Sequence, residues 1–205
     1  MDVRDRDFVV LDFETTGSVE GHPDEPWQIG MVRIRGGRID HANPFSSLLR
    51  VGPRPFNAHA PGRHATLRDQ LSIAPPLVDL WPDLKDWWLG APLVAHNAGT
   101  ERKIVRQAAP IHRPGPWIDT LKLARVAYPN LSSYALEDLL VAFDLIEGVR
   151  QMCRDRGPHD AVFDAVGCAS LLLFLLELEG WSEAGLEALA SAHPAAYYRR
   201  LHSKG

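Results

Sequence analysis

FVVLDFETTG (residues 8–17) carries an apolar run into two acids, Asp12 and Glu14, and then into a short polar turn. The apolar residues predict a buried strand over residues 7–14. Alternate side chains of a strand share one face, so the two carboxylates stand side by side near its end. Neighbouring carboxylates repel and resist burial unless a cation neutralises them, and Mg²⁺ prefers carboxylate oxygens. This stretch alone leaves open that both acids are solvated and that one caps the turn.

The composition is that of a globular domain, since 45% of the 205 residues are hydrophobic and 23% are charged. We expect one domain over residues 1–205, with a motif-bearing core at about 7–180 and a C-terminal helix and tail over 181–205. The formal net charge of −4 provides no global basic field for a long nucleic acid. It does not exclude a nucleic-acid end that is held locally by metal ions.

The cysteines and the apolar segments indicate the cellular compartment. Cys153 and Cys168 show neither CxxC nor zinc-ligand spacing, which favours a reducing environment, and Cys168 lies in an apolar run typical of a core helix. The first residues, MDVRDRDF, lack the apolar segment of a signal peptide. The most apolar stretch, residues 165–176, is too short to cross a bilayer. These features predict a cytoplasmic protein without a membrane partner.

The order of predicted elements favours an α/β protein. A hairpin turn at Gly36 and Gly37 joins two strands, and the second half alternates strands with helices. Together they predict a five-stranded mixed sheet flanked by helices, with a long surface loop over residues 51–66. Strands are predicted near residues 7–14, 27–35, 44–51, 91–97 and 116–120; helices near residues 77–90, 99–109, 121–128, 133–145 (opened by Ser132 or Ser133), 158–179 and 182–192.

A second informative stretch is LVAHNAGTERKIV, residues 93–105. A buried strand ends in polar residues, and a helix that carries Glu101 follows. Ligands gather at the carboxyl ends of strands in such sheets, so Glu101 is expected near the same edge as Glu14. The alternative is that Glu101 only complements the positive helix N-terminus. Three cations of this helix could contact phosphates, although a solvated face is the simpler interpretation: Arg102, Lys103 and Arg106.

A third stretch is GPHDAVFDAVGCASLLLFLLELEG, residues 157–180. Gly157 and Pro158 are typical of a helix start. Asp164 lies on a helix that soon becomes almost wholly apolar, and a carboxylate there requires a partner. His159 precedes it at the first turn, where a lone histidine is usually incidental but one beside a metal-binding acid is not. This stretch therefore predicts a further acid and a histidine at the same site.

These three stretches together resemble the motifs of the DEDDh 3′→5′ exonucleases, the DnaQ-like family of the ribonuclease H-like superfamily. DFETTG matches the first motif, HNAGTE resembles the second (HNxxFD), and HDAVFD fits the third (HxAxxD). WQIG, IDTLKLAR and SSYALEDLLVAFDL are smaller likenesses, and the resemblance extends over about residues 8–175. It implies a ribonuclease H-like fold and a phosphodiester hydrolase.

The chain departs from the family pattern in the second motif and in one loop. Glu101 stands where the family usually has aspartate, and Thr100 stands where it usually has phenylalanine. The longer carboxylate could preserve a role at a second metal ion or displace that ion. The segment GRHATL, which contains His64, only loosely resembles the HG(I/L)T segment with which the family contacts a terminal base.

The resemblance implies two divalent ions, Mg²⁺ or Mn²⁺, with Asp12 bridging them. Glu14 and Asp164 would complete the first site, Glu101 would support the second, and His159 would act as general base. The reaction would release 5′-nucleoside monophosphates from a free 3′ end of DNA or RNA, preferably single-stranded or short. The residues implied to contact the terminal nucleotide are the backbone of Thr15, Thr16 and Gly17, together with Asn97 and His64.

Two other functions stay open beside the exonuclease. The departures at residues 100 and 101 favour a nuclease-like fold that binds nucleic acid or protein without cutting, and a ribonuclease H-type endonuclease fits less well because of the third motif. A homodimer or a polymerase-associated subunit is possible for either. Asp119 is predicted to cap a helix, and Trp81, Trp87 and Trp88 to lie in the core or an interface. The tail YYRRLHSKG could serve a dimer interface or a substrate clamp.

Overall fold

The fold is built on one five-stranded mixed sheet, as predicted. The computed structural model describes residues 3–192, and the C-terminal tail discussed above lies outside them. The strands are ordered β3-β2-β1-β4-β5; β1 is antiparallel to β2 and parallel to β4, and β5 is parallel to β4. Their bounds are Phe8–Thr15 (β1), Pro26–Arg35 (β2), Arg38–Leu48 (β3), Leu93–Ala95 (β4) and Trp117–Asp119 (β5).

Helices cover both faces of this sheet. Short 3₁₀ turns lie at Val3–Asp5, His64–Thr66 and Leu77–Leu80. The α-helices are Arg68–Ile73 (α1), Trp81–Trp88 (α2), Gly99–Ala108 (α3), Thr120–Ala127 (α4), Leu136–Ala142 (α5), Ile146–Met152 (α6), Ala161–Leu176 (α7) and Leu186–Ser191 (α8). Within residues 3–192, no helix is long and apolar enough to cross a membrane.

The side chains of β1 alternate between two hydrophobic cores, as its sequence predicts. Phe8 and Val10 pack on the face covered by α7. Leu11 and Phe13 belong to the opposite core, which contains Trp88 and residues of α3. Asp12 and Glu14 continue the face of Phe8 and Val10, so this register directs both acids toward α7.

Several predicted boundaries were wrong. The predicted 44–51 strand begins at Arg38, immediately after the two-residue turn in which Gly36 and Gly37 have φ of 52° and 71°. The predicted 133–145 region instead forms α5, which begins at Leu136, because the Ser133 hydroxyl accepts a hydrogen bond from Ala135 N–H before the helix begins. A further helix, α6, follows it, and α1 lies just beyond the irregular segment.

The last motif-bearing helix begins later than Gly157 and Pro158 suggest. His159 has a left-handed backbone with φ of 62°, which interrupts helical geometry, and α7 begins only at Ala161. Its N-cap is Asp160, whose carboxylate accepts hydrogen bonds from the N–H groups of Val162 (3.1 Å) and Phe163 (3.4 Å). The histidine is therefore presented on a turn outside the helix.

Candidate active site

Three elements bring the predicted acids to one edge of the sheet. Asp12 and Glu14 lie near the carboxyl end of β1, and Glu101 lies in the first turn of α3, which follows β4. Asp164 lies in the first turn of α7 and His159 just before it. Because β1 and β4 are parallel neighbours, their carboxyl ends and the helix that follows β4 meet at one edge.

Gly30 allows α7 to approach the sheet. It pairs with Asp12 across β1 and β2, and a Cβ on Gly30 would lie 2.2 Å from the Ala161 carbonyl carbon. No side chain fits in that space, so the first turn of α7 rests directly on the β2 backbone. This close approach sets the depth at which Asp164 faces the acids of β1.

Glu14, His159 and Asp164 form the tightest group of the site. One potential ligand atom from each lies within 4.8 Å of the others, an arrangement that could hold a metal ion. Burial raises the pKa of Glu14 to about 8, and repulsion from Asp164 adds to this rise. Burial likewise raises the pKa of Asp164 to about 6, although His159 opposes that shift. Without a cation, the two carboxyls favour retaining a proton.

Asp12 and Glu101 are two further buried acids beside the group of Glu14, His159 and Asp164. Burial raises the pKa of Asp12 well above its usual value, and repulsion from Asp164 and then Glu101 raises it further. Glu101 is 5% exposed, and burial raises its pKa to about 7. Each acid therefore resists ionisation because its neighbours are acids and water is largely excluded.

The donor set fits divalent cations. Among residues 3–192, Oε2 of Glu101 is buried and has no hydrogen-bond partner. An unpartnered buried oxygen is costly and indicates a missing electropositive partner. Carboxylate oxygens with raised pKa values become favourable ligands once a hard cation such as Mg²⁺ neutralises them.

Asp160 supports the site and was not identified from the sequence. Its carboxylate receives hydrogen bonds from Arg156 Nη1 (2.8 Å) and Gln28 Nε2 (3.1 Å), and Arg63 Nη2 lies 3.6 Å away. Burial acts to raise the pKa of Asp160, but the bonds from Arg156 and Gln28 outweigh it and keep that pKa below its usual value. An acid immediately before an apolar helical run, as in HDAV, is the N-cap pattern that could have indicated it.

The polar turn after β1 offers less to a substrate than predicted. Thr16 is fully buried; its N–H donates to the Glu25 carbonyl (2.8 Å), and its hydroxyl accepts from Glu25 N–H (3.1 Å). The carbonyl of Thr15 accepts from Trp27 Nε1 at 3.2 Å. Gly17 packs on the following loop, where its added Cβ would lie 2.7 Å from Asn57 Cβ. These contacts do not favour a nucleotide contact by the Thr16 backbone.

The other two predicted substrate contacts differ from each other. Asn97 is exposed at the edge of the site, with its backbone N–H bonded to Asp119 Oδ1 at 3.1 Å. His64 is only 8% exposed and stacks on Phe56, with ring centroids 4.7 Å apart. Gly62 lies nearby, where an added Cβ would be 3.4 Å from Glu14 Oε2. The loop reaches the site, but the His64 ring faces inward.

Predictions of structural roles fared better. Asp119 caps α4 by accepting from Leu121 N–H (3.1 Å) and Lys122 N–H (3.4 Å). Trp88 is fully buried, and Trp81 and Trp87 pack beside it in the same core. Cys153 and Cys168 are both buried free thiols.

Residues 9–172 match the RNase T exonuclease family. The chain is 31% identical over 176 residues to DNA polymerase III PolC-type of Bacillus subtilis (strain 168), covering 83% of this chain and 11% of that protein. It is 28% identical over 180 residues to Exodeoxyribonuclease 10 of Escherichia coli (strain K12), covering 84% of this chain and 70% of that protein. Its fold resembles the nuclease domain of 3′hExo, a DEDDh family member bound to rAMP, with a TM-score of 0.59 and 18% identity. The match covers 88% of this chain and 96% of that one.

The family match includes all three acid-bearing stretches, which confirms the resemblance seen in the sequence. The chain spans only 11% of the length of the PolC-type relative, so that likeness concerns one domain-sized part of a larger protein. With the matched residues covering most of the chain, this protein belongs to the RNase T exonuclease family.

Proposed function

We propose that this chain is a metal-dependent 3′→5′ exonuclease that hydrolyses terminal phosphodiester bonds of DNA or RNA and releases 5′-nucleoside monophosphates. The observation that carries the proposal is the convergence of Asp12, Glu14, Glu101 and Asp164 on one edge, where burial raises the pKa of each and repulsion from Asp164 raises those of Asp12 and Glu14 further. Membership of an exonuclease family supports the same reaction.

The proposed ligands of two divalent ions, Mg²⁺ or Mn²⁺, are these four acids. Asp12 would be shared, Glu14 and Asp164 would complete one site, and Glu101 would serve the other. Bound ions of this kind activate the attacking water and stabilise the leaving oxygen. The unpartnered Oε2 of Glu101 supports its place in this set despite its extra methylene.

His159 is the proposed general base. It is exposed at the mouth of the site, and its backbone N–H bonds to Asp164 Oδ2 at 3.1 Å. This contact holds the histidine next to a proposed metal ligand, where it can reach a water or a 3′-terminal phosphate. Asn97 is a proposed contact for the terminal nucleotide because it is exposed at the same edge.

The second candidate is a nuclease-like module that binds without cutting. Thr100 is exposed where the family usually has an aromatic residue, and Glu101 replaces the usual aspartate. Calorimetric titration with Mn²⁺ separates the candidates, since a site that cannot bind the ion cannot support the proposed reaction. A polymerase-associated subunit and a homodimer both stay predictions.

The test is a gel time course on 5′-labelled single-stranded DNA and RNA of the same sequence, with Mg²⁺, Mn²⁺ or EDTA. We expect a metal-dependent ladder that shortens from the 3′ end and is lost in Asp12→Asn and His159→Ala. Asp83→Asn and His41→Ala change exposed residues remote from the site and should retain the ladder. Cleavage of circular single-stranded DNA would indicate an endonuclease, and a folded protein that gives no ladder would favour the binding module.

A further inference from the structure

The exposed face of α3 carries a row of cations. Glu101, Ile104 and Val105 are buried on its inner side. Arg102, Lys103 and Arg106 are exposed, and Arg106 lies four residues after Arg102 and three after Lys103, so all three share the outer side of the helix. The helix thus presents an acid to the proposed catalytic site and a basic row to solvent.

This row lines a cleft of about 900 Å³ between α3 and the segment that leads into β5. The cleft is concave rather than a flat solvated face, and its lining contains no carboxylate. The residues relevant to binding are Arg102, Lys103, Arg106, His112, Arg113 and Trp117.

The charges of the cleft are uncompensated. Within residues 3–192, no ion pair with an acid is formed by any of the four cations of the cleft: Arg102, Lys103, Arg106 and Arg113. The whole chain has a formal net charge of −4, so four cations without acidic partners are a local departure from its average. Concave walls of one charge concentrate a field that attracts an anionic ligand.

The basic row begins one residue after a proposed metal ligand. Arg102 follows Glu101 directly, and the ten residues of α3 extend about 15 Å away from the site. The row from Arg102 to Arg106 covers about 6 Å of the helix axis, and each phosphate of a stacked strand adds about 3.4 Å along the strand axis, so the row can face two or three phosphates. A small anion would use only part of this length, whereas a strand would use all of it.

We propose that this cleft binds the phosphates of a single nucleic-acid strand on the 5′ side of the nucleotide being removed. The inference rests on the proposed function, because the strand is the one whose 3′ end lies at Asp12 and Glu14. Trp117, which lines the cleft and is partly exposed, provides a ring on which one base can stack. The cleft then makes affinity depend on strand length, whereas the acids recognise only the end.

The test compares Arg102→Gln/Lys103→Gln/Arg106→Gln with a control that removes the same charge elsewhere, Arg35→Gln/Arg38→Gln/Arg150→Gln. The control residues are exposed on the β2–β3 hairpin and on α6. Fluorescence anisotropy in EDTA measures binding of labelled single strands of 2, 4, 8 and 12 nucleotides across a salt series. Because binding is read without hydrolysis, the result does not depend on whether the exonuclease proposal succeeds.

We expect the affinity of the wild-type protein to rise with strand length and to level off between about 4 and 8 nucleotides. The cleft variant should lose about tenfold or more in affinity for the 12-mer but little for the dinucleotide. Its slope of log affinity against log salt concentration should be shallower by about 2, since each of the three lost phosphate contacts accounts for about 0.7. In Mg²⁺, its KM for the 12-mer should rise more than its kcat falls. Equal affinities of the cleft variant and the wild type for the 12-mer, or an equal loss in the control, would overturn the inference.

Discussion

The backbone N–H of His159 donates a hydrogen bond to Oδ2 of Asp164 at 3.1 Å, which ties the exposed histidine to the first turn of α7. Left-handed φ at His159 makes this contact possible, because it turns the chain back toward the helix. Asp160 lies between the two and anchors the turn to β2 through Gln28. The proposed base and one proposed metal ligand therefore belong to a single turn whose position depends on Asp160.

Replacing Asp160 should destabilise the protein. Asp160→Ala removes the N-cap of α7 and leaves Arg156 and the buried Gln28 amide without their acceptor, so the free energy of unfolding should fall by about 2–4 kcal/mol. Asp160→Asn keeps a capping oxygen and should lose about half as much. Urea denaturation measures both, with exposed Asp155→Ala expected to change stability by less than about 0.5 kcal/mol. A similarly small change in Asp160→Ala would contradict the anchoring role.

Gly30→Ala tests the close approach of α7 to the sheet. The new Cβ would lie 2.2 Å from the Ala161 backbone, so the helix must shift, at a cost of about 1–3 kcal/mol. Because that helix carries Asp164, exonuclease activity should fall along with stability. The matched control is Gly148→Ala in α6, where an added Cβ meets nothing within 4 Å. Because alanine favours a helix more than glycine does, this variant should increase the free energy of unfolding by at most about 1 kcal/mol. Unchanged melting of Gly30→Ala would show that the helix position is adaptable.

The metal-free protein should lose stability as the pH rises. The pKa values of Glu14 (about 8), Glu101 (about 7) and Asp164 (about 6) exceed those of free carboxyls. Above pH 4.5 the folded state retains protons that the unfolded chain has released, so unfolding releases protons and the free energy of unfolding falls until about pH 8. Urea titrations in EDTA from pH 5 to 8.5 measure this slope.

Two further measurements define that pH effect. Glu14→Gln should flatten the slope, since it removes the carboxyl whose pKa is raised most among the three. Mn²⁺ or Mg²⁺ should raise the melting temperature more at pH 8 than at pH 5, because ligands must be deprotonated to bind. Stability that increases between pH 5 and 8 in EDTA would show that these acids are not buried together.

Glu101 allows a test in which stability and metal binding move in opposite directions. Glu101→Gln removes a buried carboxyl whose pKa is about 7, so in EDTA at pH 8 the protein should become more stable. The same variant should bind Mn²⁺ about tenfold more weakly or worse by calorimetry. Glu101→Asp should retain binding, and exposed Glu147→Gln should change neither property. Unaltered Mn²⁺ affinity in Glu101→Gln would remove this residue from the proposed ligand set.

Local sequence patterns predicted those features that depend only on neighbouring residues. The period-two alternation of β1 predicted that Asp12 and Glu14 share a face, because side-chain direction in a strand depends only on position. Gly36 and Gly37 predicted the hairpin because both positions require positive φ. The five-stranded mixed sheet and the family likewise followed from elements and motifs whose order and spacing can be read directly.

Boundaries and partners depended on contacts between distant residues. The start of α7 was predicted too early because His159 has a left-handed backbone, and the N-cap Asp160 that follows it is held by Gln28, 132 positions away, and by Arg63. The Thr16 backbone and His64 were predicted to contact a nucleotide; in the structure the Thr16 N–H donates to the Glu25 carbonyl, and His64 stacks on Phe56. No local pattern contains these partners.

The sequence by itself determined which acids this protein would bring together, since strand alternation, helix position and motif order are properties of short segments. Only the tertiary structure decided how deeply those acids are buried, and so how strongly their pKa values rise. It also decided that Asp160 anchors the histidine turn and that the cations of α3 line a cleft. Burial, electrostatic repulsion and concavity arise from residues that meet in space, and so the fold determines them.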